Sequence, residues 1–197
     1  MKPALPPVVR MLLILALATA ATGCERVLKV NVPVMTSFPA DKIPAFVHLE
    51  YASNFSQSQW KFKSAGDTYL YNLGPVLKED ADHAVRAAFK GIAPAGAPAA
   101  GTLSVKVISI SQAIQVWAWE PMEMIITLEW ELKDAGGKTV WVATVQGKGK
   151  GDEGTFFSFE DETNKRAKLA CDDLFNQSYK IFLASPEIRK WAQSSTP

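Results

Sequence analysis

Met124–Gln146 reads MIITLEWELKDAGGKTVWVATVQ. Ile126, Leu128, Trp130 and Leu132 alternate with Thr127, Glu129, Glu131 and Lys133. Alternation sends successive side chains to opposite faces of a strand, here one apolar and one polar. Ala135-Gly136-Gly137 supplies a hairpin turn. Thr139–Gln146 then returns, with Val140, Val142 and Thr144 on one side and Trp141, Ala143 and Val145 on the other. A hairpin with one wet face needs a second layer over its apolar face.

Upstream, Leu103, Val105 and Val107 alternate with Ser104, Lys106 and Ile108, which predicts a third strand reaching Ile110. Phe46–Tyr51 reads as a first strand with Val47, Leu49 and Tyr51 on one face. Trp60 and Phe62 alternate with Lys61 and Lys63, and Tyr69 and Tyr71 with Leu70 and Asn72, two further short strands. Gly147–Gly154, GKGKGDEG, reads as a flexible polar connection. It lacks the spacing and helix-start Ser/Thr of a phosphate-binding loop.

Two helical patterns supply the second layer. After Gly74-Pro75, the residues Leu77, Ala81, Ala84, Val85, Ala88 and Phe89 recur at three- and four-residue steps. Pro suits the first helical position, and Gly91 suits the stop. Acidic Glu79, Asp80 and Asp82 precede Arg86 and Lys90, the order that the helix dipole favours. The second helix follows the acidic cluster Glu160–Glu162 and runs to about Leu183, with Ala167, Cys171, Leu174, Ser178, Ile181 and Phe182 as its stripe. Ser185-Pro186-Glu187 caps a short last helix through Trp191. The expected fold is α+β: a two-layer sandwich, an antiparallel sheet of four to five strands with two long helices on one face.

The 197 residues carry 21 basic and 20 acidic side chains. Lys2 and Arg10 fall in the first 23 residues, which contain no acid, so the rest of the chain holds 19 basic and 20 acidic residues. A body so close to neutral lacks the basic face that nucleic-acid binding requires.

Residues 1–24, MKPALPPVVRMLLILALATAATGC, begin with positive charge and continue through an apolar run, Met11–Ala18. Eight apolar residues cannot cross a bilayer, which takes about 20. They fit the apolar stretch of an export signal. The closing Ala21-Thr22-Gly23-Cys24 resembles the bacterial lipobox, with Ala21 where Leu is usual. That resemblance implies a signal peptide over 1–23 and a diacylglyceryl and an acyl group on Cys24. An ordinary cleaved signal followed by a free Cys is the alternative. Glu25 after the Cys, rather than Asp, points by the same resemblance to the outer membrane, periplasm-facing. Residues 24–44, with Pro33, Pro39 and Pro44, read as the lipidated N-terminus and an extended tether, and 45–197 as one periplasmic domain. The run Val27, Leu28, Val30, Val32 and Val34 is apolar enough for part of the tether to lie against the domain. With Cys24 lipidated, Cys171 has no partner and reads as a buried structural thiol.

GDTYLYNLGPVLKEDADHAVRAAF, Gly66–Phe89, resembles the YajG-like lipoproteins of Gram-negative outer membranes. In order of elements alone, the chain is similar to LptE, the lipopolysaccharide-assembly lipoprotein. Both resemblances imply a small non-enzymatic envelope lipoprotein. No cofactor, metal or catalytic residue is expected. The anticipated partners are the membrane, through the acyl chains on Cys24, and an envelope protein, glycan or lipid. An enzyme activator, or a secretion-system pilot holding an amphipathic client, stands as the other reading. The activator would need His48 or His83, the only histidines, in a pocket with carboxylates. The pilot would need an apolar groove between helix and sheet. Glu129 and Glu131 share one strand face, which a solvated sheet explains without acid–base chemistry. Trp117 and Trp119 flank Ala118 just before Glu120-Pro121-Met122. They are the candidate partner-binding residues if exposed, and core if not.

Overall fold

The computed structural model describes residues 25–29, 42–64, 67–112, 123–151 and 159–195. Strands β1 (Glu25–Lys29), β2 (Ile43–Tyr51), β3 (Gln59–Ser64) and β4 (Asp67–Asn72) precede helix α1 (Gly74–Ala88). Then come β5 (Phe89–Ile92), β6 (Gly101–Gln112), β7 (Glu123–Asp134), β8 (Thr139–Lys150), α2 (Phe159–Ala184) and α3 (Pro186–Ser194). The main sheet has the order β5-β2-β6-β7-β8, and a smaller sheet has the order β1-β4-β3.

The 124–146 hairpin forms as its alternation dictates. Met124, Ile126, Leu128, Trp130 and Leu132 are buried, and the residues between them are half-exposed. Gly137 sits at the turn with φ +82°, and the Asp134 carboxylate accepts from the N–H groups of Gly136 and Lys138. The inward residues of β7 join Val47, Leu103 and Val105 beneath α1 and α2. The α1 stripe is buried at Leu77, Ala81, Ala84, Val85 and Ala88, and the α2 stripe at Ala167, Cys171, Leu174, Ser178 and Phe182. Trp130 is the centre of this layer. Phe182 meets it edge-on at 5.0 Å, and its indole N–H donates to Ser178 Oγ at 3.1 Å. Trp141 and Phe89 complete the aromatic group around Phe182, at 5.7 and 5.6 Å. The Ser185 hydroxyl caps α3 by accepting from the Ile188 N–H.

The two-layer α+β architecture holds, with differences in detail. The sheet is mixed. β2 runs parallel to both β5 and β6, while β6, β7 and β8 are antiparallel. The unexpected strand β5 adds a second parallel pair on the other edge of β2. Gly91 does not stop α1; the helix ends at Ala88, and the chain pairs at once along the free edge of β2. Phe89 keeps its buried place from the strand instead of the helix. β2 also begins at Ile43, inside the stretch read as tether, because Ile43 is buried and opposite Phe89. Residues 25–29 are extended, but as a strand paired in parallel with β4.

The largest departure is at Gly147–Lys150, which is not a loop but the last third of β8. Gly147 and Gly149 are buried, while Lys148 and Lys150 are exposed. A Cβ on Gly147 would lie 2.2 Å from Ala170 O, and one on Gly149 would lie 1.9 Å from Arg166 O. The helix α2 rests on bare strand backbone there, which only glycine permits.

The small sheet is tied to the main body through α1. Trp60 and Tyr71, paired across β3 and β4, have ring centroids 5.2 Å apart. The N–H groups of Leu73 and Gly74 both donate to Ser58 O, at 3.1 and 2.9 Å. A Cβ on Gly74 would lie 2.2 Å from Ser56 O, so α1 starts hard against the turn before β3.

Candidate functional site on the open sheet face and distal hairpin

Helices cover one face of the main sheet, and among the described residues nothing packs over the other. Its side chains pair both across and along strands. Lys106 Nζ lies 2.6 Å from Glu129 Oε1, and Lys133 Nζ lies 3.3 Å from Glu131 Oε2. The Thr139 hydroxyl donates to Glu131 Oε1 at 2.7 Å and, with Lys133, holds that carboxyl below the usual range. Glu129 and Glu131 are therefore members of a polar cross-strand lattice. Where β2 leaves the sheet after Tyr51, a shallow depression opens over Ser104 and Val105, rimmed by Glu50, Lys106, Glu129 and Glu131.

The tyrosine at that point is anchored. Tyr51 Oη donates to Asp82 Oδ1 of α1 at 2.7 Å, and Lys78 Nζ stands 5.3 Å from its ring centre. Burial, then the Asp82 bond, pushes the phenol pKa up, so it stays protonated. Tyr51 joins the strand to the helix.

The two histidines share no site. His48 lies half-buried on β2, whereas His83 is exposed on α1. Among the described residues, no three His, Cys, Asp or Glu side chains converge as a metal would require. Cys171 is fully buried in α2, and desolvation, with Asp80 and Asp172 nearby, pushes its thiol pKa up. Such a thiol is unreactive packing. The space between α2 and the sheet is filled by the aromatic group at one end and closed at the other by the glycine contacts.

What sequence reasoning missed is the overhang of the hairpin. β2 pairs with β6 only from Gly101 to Val105, whereas the β6–β7 ladder continues to Gln112 opposite Met124. Among the described residues, the last seven positions of β6 have a strand neighbour on one side only. The register slips between Val107 and Ser109, and Ile108 is 50% exposed there. A bulge of this kind discourages uncontrolled pairing along an edge. The outer edge of β8 is blunted differently: Asp173 of α2 accepts the Lys148 N–H at 2.9 Å. Nothing but the unequal lengths of the strand patterns at 46–51 and 103–110 could have signalled the overhang.

Cys24, Trp117 and Trp119 lie outside the described residues. Residues 113–122 join Gln112, which lies opposite Met124, to Glu123.

No protein-family model matches the sequence, and no curated protein matches it. Among solved structures, a protein of Xanthomonas campestris described under DUF330 has a TM-score of 0.55 at 13% identity, over 86% of this chain and 99% of that one. The two share a fold. A minor lipoprotein of Acinetobacter baumannii is a more distant likeness, with a TM-score of 0.44 at 11% identity, over 71% of this chain and 92% of that one.

Proposed function

We propose that this chain is a lipoprotein of the bacterial envelope, anchored by acyl chains on Cys24 and facing the periplasm from the outer membrane. Its domain is a non-enzymatic binding or assembly module for an envelope protein, glycan or lipid. The anchor rests on the lipobox-like Ala21–Cys24, and kinship with YajG-like or LptE-like lipoproteins belongs to this same reading. The binding role rests on one observation, the β6–β8 overhang. Beyond the bulge at Ile108, the hairpin still runs past its sheet neighbour and offers backbone donors and acceptors on one edge, and strand addition uses such edges. The connection at its end carries Trp117 and Trp119, side chains suited to anchoring a contact. Tethering at the membrane raises the local concentration of the module about its target.

The test is a capture from detergent-solubilised envelope. Wild type is compared with a Trp117→Ala/Trp119→Ala variant whose circular dichroism is native. A specific partner lost only in the variant supports the reading. A variant that unfolds would make the two indoles core and remove the proposed contact. Radiolabelled palmitate incorporation that survives Cys24→Ser would remove the anchor.

A further inference from the structure

Asp80 lies on the buried side of α1, where that helix meets α2. The residue is 3% exposed, and among the described residues neither carboxylate oxygen has a hydrogen-bond partner. Its flanking acids on α1 are otherwise placed: Glu79 is exposed and Asp82 is bonded to Tyr51. The groups of α2 that act on it are Cys171, Asp172 and Lys168. Lys168 is itself paired with Asp172 one turn along α2. Among the described residues, the turn before β3 and strand β5 bring no charge to this point. The turn Phe55–Gln57 has no ionisable side chain, and the lysine of β5, Lys90, stands over the Phe46 ring. His83, one turn along α1, is exposed.

A carboxylate buried without donors is costly when ionised and tolerable when protonated. We propose that Asp80 is a proton-operated latch between α1 and α2, closed when its carboxyl is protonated and loosened when it ionises. Desolvation, then repulsion from Asp172 and Glu79, pushes its pKa up to about 7, with Lys168 opposing. The folded value lies above the ordinary 3.8, so the latch contributes fully below about pH 4 and is lost as the pH rises to 7. Its motion has a route outward. α1 continues from β4 and is bonded at Leu73 and Gly74 to Ser58. β4 in turn holds β1, the strand that starts one residue after Cys24. Loosening α1 therefore changes how the three-stranded sheet is held to the body.

The test uses the full chain in detergent. The Asp80 carboxyl carbon is followed by NMR from pH 4 to 9, assigned by its loss in Asp80→Asn. Hydrogen exchange in α1, corrected for intrinsic rate, is measured at pH 5 and 8 and referenced to β7. The expected result is titration close to neutral and α1 protection that falls roughly tenfold or more at the higher pH. In Asp80→Asn the protection stays level. Titration in the ordinary carboxylate range, or an equal fall in Asp80→Asn, overturns the latch. If Asp80→Asn does not fold, Asp172→Asn serves. It removes a like charge and frees Lys168, so the loss of protection moves to lower pH, and an unmoved midpoint overturns the proposal.

Discussion

The two ends of the β7–β8 hairpin solve the same problem with opposite residues. Near the turn, the inward positions hold Trp130, Leu132 and Trp141, and α2 meets them through the ring of Phe182. Toward the far end, the inward positions of β8 are Val145, Gly147 and Gly149, and α2 meets them through its own backbone at Ala170 and Arg166. The period of two is unbroken. What changes is the distance between helix and strand, and the residue in each inward position is sized to it. Close packing without voids demands this, because a helix lying askew to a sheet leaves a wedge to fill.

Crowding the narrow end should have the largest effect. Gly149→Val forces helix and strand apart, and we expect a loss of about 3 kcal/mol or more in a urea melt, or failure to fold. Gly149→Ala should be milder but of the same sign. If either is neutral, α2 does not touch β8 there and the comparison fails.

Emptying the wide end comes next. Trp130→Ala should cost roughly 3–5 kcal/mol, through lost burial and the cavity left behind. Trp130→Phe isolates the polar share. It removes the hydrogen bond to Ser178, whose hydroxyl still donates to Leu174 O at 2.9 Å. A loss of about 1–2 kcal/mol is expected, measured by thermal and chemical melts together.

Two smaller changes sharpen the contrast. Asp173→Ala frees the Lys148 N–H and should lower stability by about 1 kcal/mol, with faster hydrogen exchange confined to that end of β8. Lys106→Ala breaks the ion pair with Glu129 on the open face. An exposed pair contributes about 0–1 kcal/mol, so the melt should barely move and should move less in high salt. A large loss would mean that the open face carries structure and is not merely solvated.

The glycines show why most of β8 was legible and its last third was not. Thr139–Gln146 contains side chains large enough to declare an inner and an outer face. In GKGKG the inner face is written in hydrogen atoms, and composition alone points to a loop. The alternation was present at Gly147 and Gly149, but apolarity is the usual marker of inwardness and glycine does not carry it. β5 was hidden for another reason. FKGI is too short to establish a period, and its pairing needs β2, some forty residues earlier in the chain. The candidate site divides in the same way. Trp117, Trp119 and Cys24 are visible as residues, while the overhang exists only because β6 and β7 outrun β2.

The sequence by itself carries the lipobox-like segment ending at Cys24, and it determined the α+β class, the apolar stripes of both helices and which face of β7 turns inward. These are local facts, readable from composition and from periods of two and three and a half residues. The tertiary structure alone decided that β2 lies parallel between two strands, that Asp80 is sealed against α2 with no donor among the described residues, and that a helix backbone rests on Gly147 and Gly149. Each of these depends on which distant segment arrives as neighbour and how near it comes, and a periodic pattern specifies a face without specifying what will cover it.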